Sequence, residues 1–104
     1  MNKITYNFAD TDIKTLICAL TAYESVPKLV DNHLCESVIS KLNKLNLAFS
    51  LNELRVMDNS LCYADLILKN DVPADSSIKE SLAPYTSSIN QLIQLFGSWF
   101  SIMY

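Results

Sequence analysis

A chain of 104 residues with a single glycine, Gly97, has almost no residue that enters positive φ without strain. Hairpin turns draw on such residues, so the composition argues against an all-β fold and against a glycine-rich phosphate cradle. The apolar side chains, 50% of the total, must then be buried largely by helices. A chain of this length folds to a radius of gyration of roughly 13 Å and buries roughly 60–70% of its unfolded surface, so a core is possible without disulfides. The expectation is one all-α domain over residues 1–104, a compact bundle of about four to five helices with a short extended N-terminal arm.

The helical period is visible segment by segment. Ile4, Tyr6 and Phe8 alternate with polar neighbours, a strand period over a short span with no strand partner in the pattern, so they read as an arm laid on the helices, with a short helical lead-in as the alternative. Asp10 suits an N-cap, and Ile13, Leu16, Ile17, Leu20 and Tyr23 share one face of a helix over about 11–24. Ser25, with Pro27 in the first turn, would cap a second helix. Its core face is Val30, Leu34, Val38, Leu42 and Leu45, ending near Asn46. Ser50-Leu51-Asn52-Glu53 is a capping box. It opens a third helix whose Leu54, Met57, Leu61, Ala64 and Leu68 follow at spacings of three and four. Val56, Tyr63 and Leu66 add a second strip, which makes this helix central, and Asp65 and Lys69 form an i,i+4 pair. Asn70 to Asp75 break the pattern, Ser77 to Glu80 repeat the capping-box spacing, and Pro84 ends or kinks a short helix near Leu82. Ile89, Leu92, Ile93, Phe96, Phe100 and Met103 trace a last helix.

Charge and motif content narrow the function classes. Eight Lys plus Arg against eleven Asp plus Glu give a net charge of −3, without the concentrated basic face that nucleic acid requires. A helix-turn-helix regulator, using Lys41, Lys44, Asn52, Arg55 and Asn59, is weakened by Glu53, Asp58 and Asp65 beside them. No stretch reaches the roughly 20 apolar residues of a membrane span, and no apolar run of signal-peptide length follows Lys3. Cys18, Cys35 and Cys62 stand singly in apolar patterns, with no CxxC pair. They read as free, mostly buried thiols in a cytoplasmic protein. A zinc site drawn from these cysteines and His33 lacks the paired spacing of structural zinc sites, so no metal and no cofactor is expected. No catalytic motif is present, and the acidic residues Asp58, Asp65, Asp71 and Asp75 are scattered singly, so no catalytic residue can be named.

The strongest asymmetry lies at the C-terminus. Ser81 to Tyr104 carry no charged side chain, and all the charges lie before them. The polar side of this segment, Ser87, Ser88, Asn90, Gln91, Gln94, Ser98 and Ser101, can be covered by another protein at lower desolvation cost than charged groups. Trp99, Phe100 and Tyr104 are of the aromatic types that dominate interfaces. Gln94, Ser98, Trp99, Phe100, Ser101 and Tyr104 are the candidate interface residues. Burial of this helix inside the bundle would also account for its apolar stripe, whereas membrane-surface binding lacks the usual Lys or Arg. The resulting expectation is a non-enzymatic protein-binding module of the inhibitor, immunity or adaptor type, acting on a protein partner or as a homodimer. A small enzyme or ligand carrier with an interhelical pocket is the alternative. The preference for Lys over Arg and the many Asn and Ile fit an AT-rich bacterial or phage genome.

Overall fold

The stripe from Leu54 to Leu68 runs along the helix that the others surround. In the computed structural model, which describes residues 4–5, 8–25 and 32–103, the order is β1 (Ile4–Thr5), α1 (Asp10–Glu24), α2 (Asn32–Asn43), β2 (Ala48–Phe49), α3 (Leu51–Leu68), α4 (Ser76–Leu82) and α5 (Thr86–Met103). A 3₁₀ turn, Ala83–Tyr85, carries Pro84 between α4 and α5. The fold is an all-α bundle. α3 packs against α1, α2, α4 and α5. Its Leu54, Met57, Leu61 and Ala64 are buried beside Leu16 and Leu20 of α1, Val38 and Leu42 of α2, and Ile89, Leu92 and Phe96 of α5. The radius of gyration is 12.9 Å.

Several sequence expectations are corrected at element ends. The extended arm does have a strand partner: β1 pairs antiparallel with β2, Ile4 opposite Phe49 and Thr5 opposite Ala48. Two residues between helices carry too little alternation to be read as a strand. The pairing lays Phe8 against Phe49 and Phe96, with ring centroids 6.4 Å apart in both cases; Tyr6 lies outside the described residues. The N-cap of α1 is Ala9 rather than Asp10, and the Asp12 carboxylate accepts the Ala9 N–H at 3.3 Å. Ser25 closes α1, its hydroxyl donating to the Ala22 carbonyl oxygen, while Pro27 and Val30 lie outside the described residues. Likewise α4 starts from Asp75, so Ser77 falls inside its first turn.

Leu45 is the clearest departure. α2 stops at Asn43, and Leu45 stands beyond it at φ 57°, 67% exposed. Asn46 N–H donates to the Lys41 carbonyl at 2.8 Å and Leu45 N–H to that of Leu42 at 3.2 Å, the paired bonds of a Schellman stop. The same stop ends α3, where Asn70 takes φ 63° and the Asp71 and Asn70 N–H groups reach Leu66 and Ile67. Asparagine tolerates this conformation, but a leucine does not favour it.

The capping box of α3 forms as expected and does more than cap. Glu53, 5% exposed, accepts the Ser50 N–H at 2.8 Å while Ser50 Oγ accepts the Glu53 N–H at 3.2 Å. Lys41 of α2 pairs with the same carboxylate at 2.8 Å, donates to the Ala48 carbonyl at 3.2 Å and lies 5.8 Å from the Phe49 ring centre. Ser37 donates to the other carboxylate oxygen at 3.4 Å. Burial by itself would raise the Glu53 pKa, but the Lys41 hydrogen bond, the Ser50 N–H and the Lys41 charge outweigh it and hold the carboxyl below its ordinary value.

Two outcomes follow for stability. Replacing Leu45 with glycine removes the left-handed penalty at a position with little burial to lose, and should stabilise the chain by about 1 kcal/mol in urea unfolding. Glu53, with its folded pKa depressed, contributes stability that is complete above the unfolded pKa, about 4.3, and lost as the pH falls through the folded value. Glu24 and Asp58, both raised by burial, act in the opposite direction. The difference between wild type and Glu53→Gln therefore isolates the effect: about 1–3 kcal/mol in favour of wild type at pH 7, shrinking toward pH 3.

Candidate functional site

Among the described residues, the buried side chains of α5 lie on one side of the helix. Its Ile89, Leu92 and Phe96 are buried, and Trp99 is half-buried, its ring 4.9 Å from that of Phe96 and 6.3 Å from that of Phe8. The rotation of the helix about its axis is set by Ser88. Its Oγ lies 2.9 Å from Oγ1 of the buried Thr15 in α1 and donates to Asp12 Oδ1 at 3.3 Å. Thr15 is itself bonded to the Thr11 carbonyl at 2.7 Å. With Ser88 inward, the residues on the far side of α5 point to solvent.

That far side is made of Ser87, Asn90, Gln91, Gln94 and Ser98, all exposed, with Leu95 beside them at 40% exposure. Every exposed residue from Ser81 to Ser98 is uncharged. α5 is therefore an amphipathic cover, with α3 the more enclosed helix. Of the six candidate interface residues, Gln94 and Ser98 share the outward face, while Trp99 faces the Phe8–Phe96 cluster. The side chains of Phe100 and Ser101, and Tyr104 entirely, lie outside the described residues. Ser87, Asn90 and Gln91, read with the polar side of the segment but not among the six, share the outward face, whereas Ser88, read with them, is turned onto Thr15 and Asp12.

The other candidate chemistries are placed as follows. The groove between α1 and α4 has a volume of about 190 Å³ and is lined by Ile17, Cys18, Thr21, Ala22, Ile78 and Ser81. It holds hydroxyls and a thiol but no carboxylate, amine or imidazole, so it offers no acid–base pair. Among the described residues no three His, Cys, Asp or Glu side chains gather in a way that could hold a metal ion, and no helix is long and apolar enough to cross a membrane. Lys41, one of the two lysines of the helix-turn-helix reading, is turned onto Glu53. Asn52, Arg55 and Asn59 do share an exposed side of α3. Sequence inspection missed one acidic contact: Glu24 is raised first by burial and then by the charge of Glu36, twelve residues away.

The cysteines divide into three environments. All are free, with Cys35 buried, Cys18 half-buried and Cys62 exposed, against the expectation that all three would be largely covered. Cys62 sits among the apolar residues of α3 in the sequence but on its outer side in the fold. Burial, then Asp58 and Asp65, raise its thiol pKa.

No family model matches the chain, and no curated protein or solved structure matches it significantly.

The thiol environments have a measurable consequence. In the folded protein an alkylating reagent should modify Cys62 first and leave Cys35 intact until urea unfolds the chain, as read by mass spectrometry. Because the thiolate is the reacting form, the Cys62 rate should keep rising as the pH is raised past about 8.5.

Proposed function

We propose that this chain is a non-enzymatic protein-binding module that acts by surface complementarity through the outward face of α5. The observation that carries the reading is the distribution of charge. An exposed helix face normally carries charged side chains, yet Ser87, Asn90, Gln91, Gln94 and Ser98 are exposed and neutral in a chain with nineteen charges elsewhere. Hydroxyl and carboxamide groups retain hydrogen-bonding capacity for a partner, and covering them costs less desolvation than covering carboxylates or ammonium groups. Leu95 supplies an apolar contact beside them. Inhibitor, immunity-type and adaptor proteins are the classes this fits, and three free thiols suit a reducing compartment such as the cytoplasm. The groove between α1 and α4, with no titrating lining residue apart from Cys18, supports the enzyme alternative less well.

The test places a photo-crosslinking residue at Gln94, with Lys44 as an exposed control, in the cells the chain comes from. Position 94 should give a discrete polypeptide adduct that position 44 does not. Ser98→Glu in the same chain should reduce its yield at least about fivefold, since a carboxylate in a desolvated contact costs about 1–3 kcal/mol. Equal adducts from both positions, or a yield indifferent to Ser98→Glu, would overturn the reading.

A further inference from the structure

Three clefts surround the start of α4. Besides the groove against α1, a cleft of about 210 Å³ lies between Ser25, Tyr63 and Ile78, and one of about 360 Å³ between Ile67, Asn70 and Lys79. Ile78 lines the first two, and the loop residues Pro73 and Ala74 line the second and third. Leu82, at the other end of the helix, is fully buried and borders none of the three. α4 is therefore held to the bundle at its C-terminal end and loosely packed at its start.

The start of α4 has little else to hold it. A helix of seven residues is too short to be stable alone in water, and of these only Leu82 is buried. The N-cap Asp75 makes no side-chain cap bond, unlike Ser50 at the start of α3. From Asn70 to Ser77 every residue is exposed except the half-buried Val72. The side-chain bonds of Lys79 to Asn70 and of Ser81 to the Ile78 carbonyl stay within the segment. Asn70, in the left-handed region at φ 63°, bounds it on one side and the 3₁₀ turn with Pro84 on the other. Local opening takes place where buried apolar contacts are few. Lifting Ile78 would merge the groove against α1 with the cleft at Tyr63 into one trough along α1, from Cys18 to Ser25.

We propose that the segment from Asn70 to Ser81 is a lid, anchored by Leu82 and hinged at the Ala83–Tyr85 turn. It comes off α1 while the rest of the bundle stays folded, and it opens the trough around Cys18. Off the bundle α4 unravels, since packing is what stabilises so short a helix. Cys18 is the built-in reporter. It lines the groove beside Ile78, and burial raises its thiol pKa, so the closed form carries little of the thiolate that reacts. The lid does not depend on the reading of α5 as a binding face.

Iodoacetamide labelling of the full chain, followed residue by residue by mass spectrometry, tests it. The substitutions fall at Ser77 and Glu80, which are exposed and border none of the three clefts. Ser77→Gly/Glu80→Gly and Ser77→Ala/Glu80→Ala carry the same charge and differ in helix propensity, so the glycine pair should label Cys18 at least about tenfold faster than the alanine pair. In wild type without urea, Cys18 should react at least about a hundredfold faster than Cys35. Its rate should also rise less steeply with urea, because lifting one short segment exposes less surface than unfolding the chain. Equal Cys18 rates in the two pairs mean that the reagent enters the groove with α4 in place, and overturn the proposal. Cys18 and Cys35 rates with the same urea dependence mark a single global unfolding, and overturn it too. If circular dichroism shows that the glycine pair does not fold, Ser77→Ala alone carries the test against wild type: Cys18 should slow about twofold, and an unchanged rate sinks the lid.

Discussion

A carboxylate as enclosed as that of Glu53 is tolerated only if its oxygens are satisfied, and the groups that satisfy them come from separate parts of the chain. The Ser50 N–H belongs to the start of α3, while Lys41 and Ser37 belong to α2. Meeting at one side chain, they hold α2 against α3 in a defined register. Lys41 also reaches the Ala48 carbonyl and lies over Phe49, so the same cation holds β2. Through the pairing of β2 with β1 and the contacts of Phe8 with Phe49, Phe96 and Trp99, the arrangement extends to α5. Hydrophobic burial supplies most of the driving force but has no direction. The hydrogen-bonded ion pair has direction.

The orientation of α5 decides what the molecule presents to its surroundings. A helix with Ile89, Leu92 and Phe96 inward could still turn by some tens of degrees on its apolar stripe. The Ser88 contacts with Thr15 and Asp12 oppose that rotation, because turning Ser88 away would leave the fully buried Thr15 hydroxyl with one partner fewer. Gln91, Gln94 and Ser98 point outward as a result. A neutral, hydrogen-bonding face on a regular helix is the surface on which the proposed binding reading rests.

Parts of this arrangement are legible in the residues and parts are not. The α3 stripe, its capping box and the Asp65–Lys69 pair, which closes at 2.8 Å, involve residues three or four apart, so their geometry follows from the helix period. The stop at Leu45 is not legible in this way. A leucine at the next apolar position looks like core until the chain has turned left-handed beneath it. Cys62 shows a similar limit, for a small apolar residue among apolar neighbours can lie on either side of a helix whose other faces are already covered. Leu66, assigned to the second strip, is 39% exposed for the same reason. At the candidate surface, the absence of charge from Ser81 onward is plain in the sequence, but the inward placing of Trp99 depends on Phe8, some ninety residues away.

The sequence by itself determined that the chain is helical, where α3 and α5 lie, and that the last segment is neutral, because glycine content, capping and apolar period act within a few residues of one another. Only the tertiary structure decided that β1 would find β2, that Lys41 would turn to Glu53 instead of to solvent, and that the neutral residues of α5 would face outward. Those outcomes depend on pairings between positions far apart in the chain. Many alternative contacts have similar local propensity, and the one that forms is the one in which Glu53, Thr15 and the aromatic cluster are all satisfied together.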